Sequence, residues 1–153
     1  MRIIDLLEPG RVLADLQASG KRAVLEELVG TMAPGPEGLD LQAVVEILLE
    51  RERLGSTGIG DHIAIPHGKL PNLPTMKLAF GRSLLGVDFA SMDGKPSHLF
   101  FLLLAPENSA GLHLKALAKI SRMLLSQSFR DSLMQADSAG AIFRLLAERD
   151  AEL

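Results

Sequence analysis

The run Leu99-Phe100-Phe101-Leu102-Leu103-Leu104 is apolar at every position. A strand with one face in water alternates apolar and polar residues, so an uninterrupted run of this kind is buried on both faces and reads as a central strand. The rest of the chain must supply the cover. At 153 residues it can, because a chain of about 150 residues buries roughly 70% of its unfolded surface. Elements of different type alternate along it, with no internal repeat and no low-complexity tract, which favours an α/β fold. No linker divides it, so residues 1–153 are read as one domain.

Ser19 is placed to cap a helix carrying Ala23, Val24, Leu28 and Met32, ending in the turn-forming Pro34-Gly35-Pro36-Glu37-Gly38. Asp40 is placed to cap the next helix, where Leu41, Val44, Val45, Leu48 and Leu49 recur at helical spacing and Gly55 marks the stop. Arg51, Glu52 and Arg53 therefore occupy its last turn. A strand is expected over Met76 to Ser83, and Met92-Asp93-Gly94-Lys95 reads as a turn before the central strand. From Ser109 onward Leu112, His113, Leu117, Ile120, Leu124 and Leu125 make a long amphipathic helix. Phe129 to Ala136 follow, then a last helix from Ser138 carrying Ile142, Phe143, Leu145 and Leu146.

Composition removes several classes of function. The chain has no Cys, which excludes disulfides, thiolate metal sites, iron–sulfur clusters and a cysteine nucleophile. Sixteen Lys plus Arg against nineteen Asp plus Glu give a net charge of −3, without a basic run or aromatic–basic interleaving, so nucleic acid is not the expected partner. The apolar runs fall far short of the roughly 20 residues that span a bilayer, and Met1-Arg2-Ile3-Ile4-Asp5 lacks a signal-peptide core. The expectation is a soluble cytoplasmic protein without membrane insertion.

The chemistry concentrates in Gly55-Ser56-Thr57-Gly58-Ile59-Gly60-Asp61-His62-Ile63-Ala64-Ile65-Pro66-His67-Gly68. A glycine-rich loop feeds a short apolar strand, Ile63 to Ile65, and Pro66 cuts it off because it has no N–H to continue a ladder. His67 then projects from a strand end, and Gly68 permits a sharp turn or close approach to a ligand. The glycines precede a strand and lack a following Lys-Ser or Lys-Thr, so they do not form a nucleotide P-loop. Ser56, Asp61 and Ser109 allow a Ser-His-Asp hydrolase to be considered, but no Gly-x-Ser-x-Gly elbow is present.

Four histidines need placing. His98, beside Ser97, reads as a strand-edge surface residue. His62 and His67 are an odd number of residues apart, so on one strand they face opposite sides and do not chelate a shared metal; no metal and no cofactor is expected. His62 reads as exposed at the loop end. His113 falls on the buried stripe of its helix, either as a core-edge imidazole bonded to a neighbour or as a second imidazole facing His67.

A lone projecting imidazole without metal or cofactor fits phosphoryl transfer best. Its neutral nitrogen is a competent nucleophile, provided the other ring nitrogen holds a proton and donates it, for instance to a backbone carbonyl. The charge on the transferring oxygens calls for donors, and Arg51, Ser56, Thr57 and His113 are the available set.

Arg51-Glu52-Arg53-Leu54-Gly55-Ser56-Thr57-Gly58-Ile59-Gly60, Ile63-Ala64-Ile65-Pro66-His67-Gly68-Lys69 and His113-Leu114-Lys115-Ala116-Leu117 together resemble the enzyme IIA domain of the fructose/mannitol class of the phosphoenolpyruvate-dependent phosphotransferase system. Similarity covers nearly the whole chain and is greatest to the nitrogen-regulatory branch. The resemblance implies a three-layer α/β sandwich, with a central mixed β-sheet flanked by helices on both faces. It implies that His67 accepts a phosphoryl group from an HPr-type phosphohistidine protein, that Arg51 and His113 steady it, and that Ser56, Thr57 and Gly68 lie beside it. Two departures stand out: His62 occupies a position that is often Gly in relatives, and the loop from Lys69 to Thr75 carries two prolines. The expected role is that of a regulatory phosphocarrier. A sugar-specific enzyme IIA donating to an enzyme IIB is the alternative, and a binding module that is never phosphorylated is a third.

Overall fold

The computed structural model describes residues 1–32, 40–109 and 111–153. After a 3-10 turn at Ile3–Leu6, the chain forms β1 (Leu7–Leu13), α1 (Lys21–Gly30) and α2 (Leu41–Arg53). Next come β2 (Gly58–Gly60), β3 (Ile63–Ala64), β4 (His67–Leu70), β5 (Lys77–Val87) and β6 (Ser97–Pro106). Helices α3 (Leu112–Met123), α4 (Gln127–Gln135) and α5 (Ala139–Ala151) complete it.

The six strands form one mixed sheet in the order β1-β5-β6-β3-β2, with β4 also paired to β6. β6 is parallel to β3 and β4 and antiparallel to β5. It is the central strand expected from its sequence. Successive side chains on a strand point to opposite faces, and here each set meets a helical layer. Phe100, Leu102 and Leu104 pack into a core with Val24, Leu28, Val45 and Leu48 of α1 and α2. Leu99, Phe101 and Leu103 join a second core with Ile120, Leu133, Ile142 and Leu146 of α3, α4 and α5. The result is the three-layer α/β sandwich.

Several local expectations hold and several are corrected. Asp40 caps α2, its carboxylate accepting from Gln42 N at 3.1 Å and Ala43 N at 3.3 Å. Ser138 caps α5. Ser19 does not cap α1: Gly20 occupies the cap position, without a side-chain bond, and the buried face is Val24, Leu25, Leu28 and Val29 rather than one that includes Ala23. The turn read at Pro34 to Gly38 lies outside the described residues. β5 runs on to Val87, beyond the expected Ser83, with a register break between Arg82 and Val87. α3 buries Ala116, Ile120 and Met123, whereas Leu112, at the first position of the helix, is 47% exposed and Leu125, beyond its end, is 74% exposed.

Two buried charges join distant parts of the chain. The Arg82 guanidinium of β5 is buried and donates to the carbonyls of Ala14, Leu133, Met134 and Ala136, so it closes the end of α4 as well as bracing β1. Asp150 of α5 accepts from Ile4 N at 3.0 Å and pairs with Lys119 of α3, also at 3.0 Å. The sheet's outer strands are short or broken: β1 contains Pro9 and a register break between Leu7 and Val12, β2 has 3 residues and β4 has 4.

Candidate functional site

Residues 63 to 70 run as one line along β6, interrupted only at Ile65-Pro66. Pro66 cannot donate, but its carbonyl accepts from Leu103 N at 3.0 Å, so the line resumes in register with His67 opposite Leu103. His67 thus opens a second strand segment rather than ending the first. Gly68 keeps an ordinary negative φ, which corrects the expected turn. Its use is close packing, because a Cβ there would stand 3.2 Å from Ile47 Cγ2 and 3.4 Å from Leu48 Cδ2. The bare backbone lets α2 lie directly on β4. One turn further along α2, Arg51 comes to the same place as His67.

α3 arrives from the opposite layer. Gly111 precedes it with φ +85°, a left-handed conformation natural to glycine. His113 follows in the first turn, half-buried, its Nδ1 2.9 Å from Ser109 Oγ. Arg51, His67, Gly68 and His113 line one cavity of about 430 Å³, with Leu103 and Ala105 of β6 and the apolar Ile47, Leu54, Leu114 and Leu117 around it. Glu50 and Lys69 reach it as well. Of the two readings of His113, the structure brings it to the cavity.

The hydrogen bonds decide which nitrogen is available. His67 Nδ1 lies 2.7 Å from the Ile65 carbonyl, and a carbonyl only accepts, so Nδ1 carries the proton. Nε2 is the unprotonated nitrogen of the neutral ring and has no hydrogen-bond partner among the described residues. Burial pushes the His67 pKa below the usual histidine value, and the Arg51 charge adds to this, while the Ile65 bond and Glu52 oppose it. The pKa of His113 is also lowered, by burial first and then by Lys69 and His67. Both rings are therefore neutral near pH 7. The Arg51 guanidinium donates to the Gly55 carbonyl at 2.9 Å.

Ser56 and Thr57 are not brought to the cavity. Ser56 Oγ donates to the Phe89 carbonyl at 2.8 Å and accepts from Gly58 N at 3.0 Å. Thr57 is buried; its hydroxyl donates to Glu52 Oε2 and its N–H to Glu52 Oε1 at 3.1 Å. Their polar atoms stitch the loop down instead. Glu52 escaped the sequence reading because it stands between two arginines in a last turn that looks solvated. The signal was present: Glu52 is four residues beyond Leu48, on the buried stripe of α2.

The remaining histidines lie elsewhere. His62 has φ +65°, and its Nδ1 is 2.8 Å from the Pro96 carbonyl. A left-handed backbone is one that glycine adopts freely and a histidine does not. His98 is half-buried on β6 rather than at a surface edge, with Nδ1 2.8 Å from the Ser83 carbonyl and its ring 5.3 Å from that of His62. Among the described residues no group of three or more His, Cys, Asp or Glu is placed to hold a metal, and no helix is long and apolar enough to cross a membrane.

An α/β sandwich with two imidazoles and a guanidinium around one cavity is the class of protein that this fold and site define. Residues 5–149 match the family model of the phosphoenolpyruvate-dependent sugar phosphotransferase system, EIIA 2, and the chain belongs to that family. It is 45% identical over 147 residues to a nitrogen regulatory protein of Bradyrhizobium diazoefficiens, covering 96% of this chain and 95% of that one. It is 37% identical over 150 residues to the fructose-specific EIIABC component of Bacillus subtilis, covering 98% of this chain but 24% of that much longer one. The crystal structure of nitrogen regulatory protein IIA-Ntr from Neisseria meningitidis superposes with a TM-score of 0.88 at 36% identity, covering 94% of this chain and 98% of that one.

Proposed function

We propose that His67 Nε2 accepts a phosphoryl group from an HPr-type phosphohistidine protein, and that the phosphorylation state of this chain is a regulatory signal in the cytoplasm. The observation that carries the reading is the His67 Nδ1–H bond to the Ile65 carbonyl. It fixes the tautomer and leaves Nε2 as the nucleophile without any proton having to move. In the transfer, the Nε2 lone pair forms the new N–P bond as the P–N bond of the donor breaks, and the donor nitrogen keeps that electron pair.

Arg51 and His113 supply the charge and the donor that the transferring oxygens require. Ser109 is buried, and its hydroxyl has no acceptor other than His113 Nδ1 among the described residues. Donating there leaves the His113 proton on Nε2, as the N–H for a phosphoryl oxygen. The Gly68 backbone, open to the cavity, completes the phosphoryl surroundings. The chain acts as a single enzyme IIA unit, with neither nucleic acid nor membrane lipid as a partner.

The regulatory role is favoured by the near end-to-end match with the nitrogen regulatory protein. The similarity to the fructose-specific component supports a second reading, in which the group passes on to a separate enzyme IIB. Incubation with phosphoenolpyruvate, enzyme I and HPr, followed by mass spectrometry, tests both. The expected result is the gain of one acid-labile, alkali-stable phosphoryl group that His67→Ala abolishes. Loss of that group to added fructose-type enzyme IIB would select the sugar reading. A wild-type chain that gains no mass would leave it a binding module.

A further inference from the structure

We propose that Glu52 is a positioning residue for His67, acting through Thr57 and Ile65. The proposal rests on His67 being the phosphoryl acceptor, and it concerns what aims that ring. Glu52 belongs to α2, whereas His67 belongs to β4, and no hydrogen bond joins them directly. They are joined by a chain of bonds. The Glu52 carboxylate takes both donors of Thr57, the N–H at Oε1 and the hydroxyl at Oε2. The Thr57 carbonyl accepts from Ile65 N at 3.0 Å, and the Ile65 carbonyl in turn accepts from His67 Nδ1 at 2.7 Å.

Each link has little freedom. Two bonds from one carboxylate hold the N–H and the side chain of Thr57 together and anchor the residue whose carbonyl receives the Ile65 N–H. The bond from Thr57 to Ile65 extends the β2–β3 pairing one step past Gly58 and Ala64, to the point where the strand breaks. Pro66 has no N–H, so beyond that point the strand offers the next peptide no donor of its own. The Ile65 carbonyl that holds the imidazole is thus oriented from its own N–H side, by Thr57.

Glu52 itself is held for this task. Its side chain is 3% exposed and pairs with Lys21 Nζ of α1 at 3.0 Å, and that ammonium also lies 4.7 Å from the centre of the Phe89 ring. Phe89 is the residue whose carbonyl receives Ser56. A buried carboxylate is costly unless paired and fully bonded, and this one meets an ammonium, an amide and a hydroxyl. Its partners on two sides leave one orientation, which the chain of bonds transmits to His67.

The test compares Glu52→Leu, which removes both acceptor oxygens, with Glu52→Gln, which keeps one. Thr57→Val and Thr57→Ser make the same comparison at the next link. Transfer from HPr is expected to slow by about tenfold or more in Glu52→Leu, in line with the roughly 10- to 100-fold effects of groups that orient imidazoles at metal sites. Glu52→Gln should recover most of the rate, Thr57→Val should show an intermediate loss, and Thr57→Ser should match wild type. Glu52→Leu combined with Thr57→Val should be no slower than Glu52→Leu alone, since both cut one chain.

Nitrogen-15 NMR of the unphosphorylated proteins supplies the readout that a merely structural role would not move. His67 should hold its proton on Nδ1 in wild type and distribute it over both nitrogens in Glu52→Leu. A wild-type tautomer and rate in folded Glu52→Leu, or in Thr57→Val should the first variant not fold, overturns the proposal. Absence of phosphorylation in wild type overturns the phosphocarrier reading instead, while the tautomer comparison still judges Glu52.

Discussion

His67 and His113 bring the same side chain to the same cavity under different constraints. The first is oriented by a carbonyl, which can only accept, and the second by a hydroxyl, which can do either. His113→Gln keeps a donor of similar reach, so phosphorylation of His67 should persist while onward transfer is impaired, as read by quenched-flow labelling. Arg51→Ala should leave the melting temperature nearly unchanged and slow transfer by roughly 100-fold, the order of effect seen when one preorganised donor to developing charge is lost. The same variant should raise the midpoint of the His67 NMR titration, because the Arg51 charge helps to hold that pKa down. Transfer at the wild-type rate would reduce Arg51 to a solvated charge. At His62 two terms oppose. A left-handed non-glycine backbone costs about 1–2 kcal/mol, and the bond to Pro96 returns about 0.5–1.5 kcal/mol. His62→Gly should therefore change stability by no more than about 1 kcal/mol in thermal melts, with transfer unaffected.

At the scale of elements, legibility followed whether a signal was local. The Asp40 cap, the glycine stop after Arg53 and the break at Pro66 are each properties of a few adjacent residues, and each could be read directly. Ser19 failed because helix α1 begins two residues later than its nearest capping residue, a choice made by the packing of Val24 and Leu25. Thr57 was read as a phosphoryl donor because a hydroxyl in a glycine loop looks free; its partner, Glu52, was marked only by its place on the buried stripe of α2. Gly68 was read as allowing a turn or close approach to a ligand, since close helix-to-strand contact leaves no mark in the sequence other than the glycine itself. Arg82 and Asp150 were marked only by periodicity, Arg82 alternating with Leu78 and Phe80 and Asp150 standing four residues beyond Leu146, and their partners are distant in sequence. Burial alone would push the Asp150 carboxyl up, yet the bonds from Ile4 and Lys119 outweigh it and hold the pKa below the usual range. Asp150→Ala leaves Lys119 with the Met1 carbonyl and frees Ile4 N, and should cost about 3 kcal/mol in chemical denaturation, the lower end of the range for breaking a buried pair from one side. A loss below about 1 kcal/mol would show that this clasp between α5, α3 and the chain start is idle.

On the scale of the whole molecule, one sheet separates two cores, and the cavity sits where both helical layers reach the same strand. The uniform apolarity of β6 made that arrangement readable, since only a sheet covered on both faces can use it. The order of the strands depends on long-range pairing and had no reading in the sequence; the resemblance implied only a mixed sheet between two helical layers. The titrating groups give the assembly a direction in pH. The pKa of His67 is lower folded than unfolded, so its contribution is complete above the ordinary value near 6.5 and is lost as the pH falls through the folded midpoint. Asp150 follows the same sign at more acidic pH. Unfolding free energy should thus decline in two stages on acidification; because His113 shares the sign of His67, His67→Ala should shrink the first stage in urea titrations between pH 7 and 5, and the double variant with His113→Ala should remove it.

The short and broken outer strands have a further consequence. Exposed strand edges are templates on which a second chain can add by backbone pairing, the route to non-specific fibrous association. β1 interrupts its edge with Pro9 and a register break, and β2 and β4 end before a long flat row of donors can form. A chain built this way resists having its sheet extended by a second copy of itself.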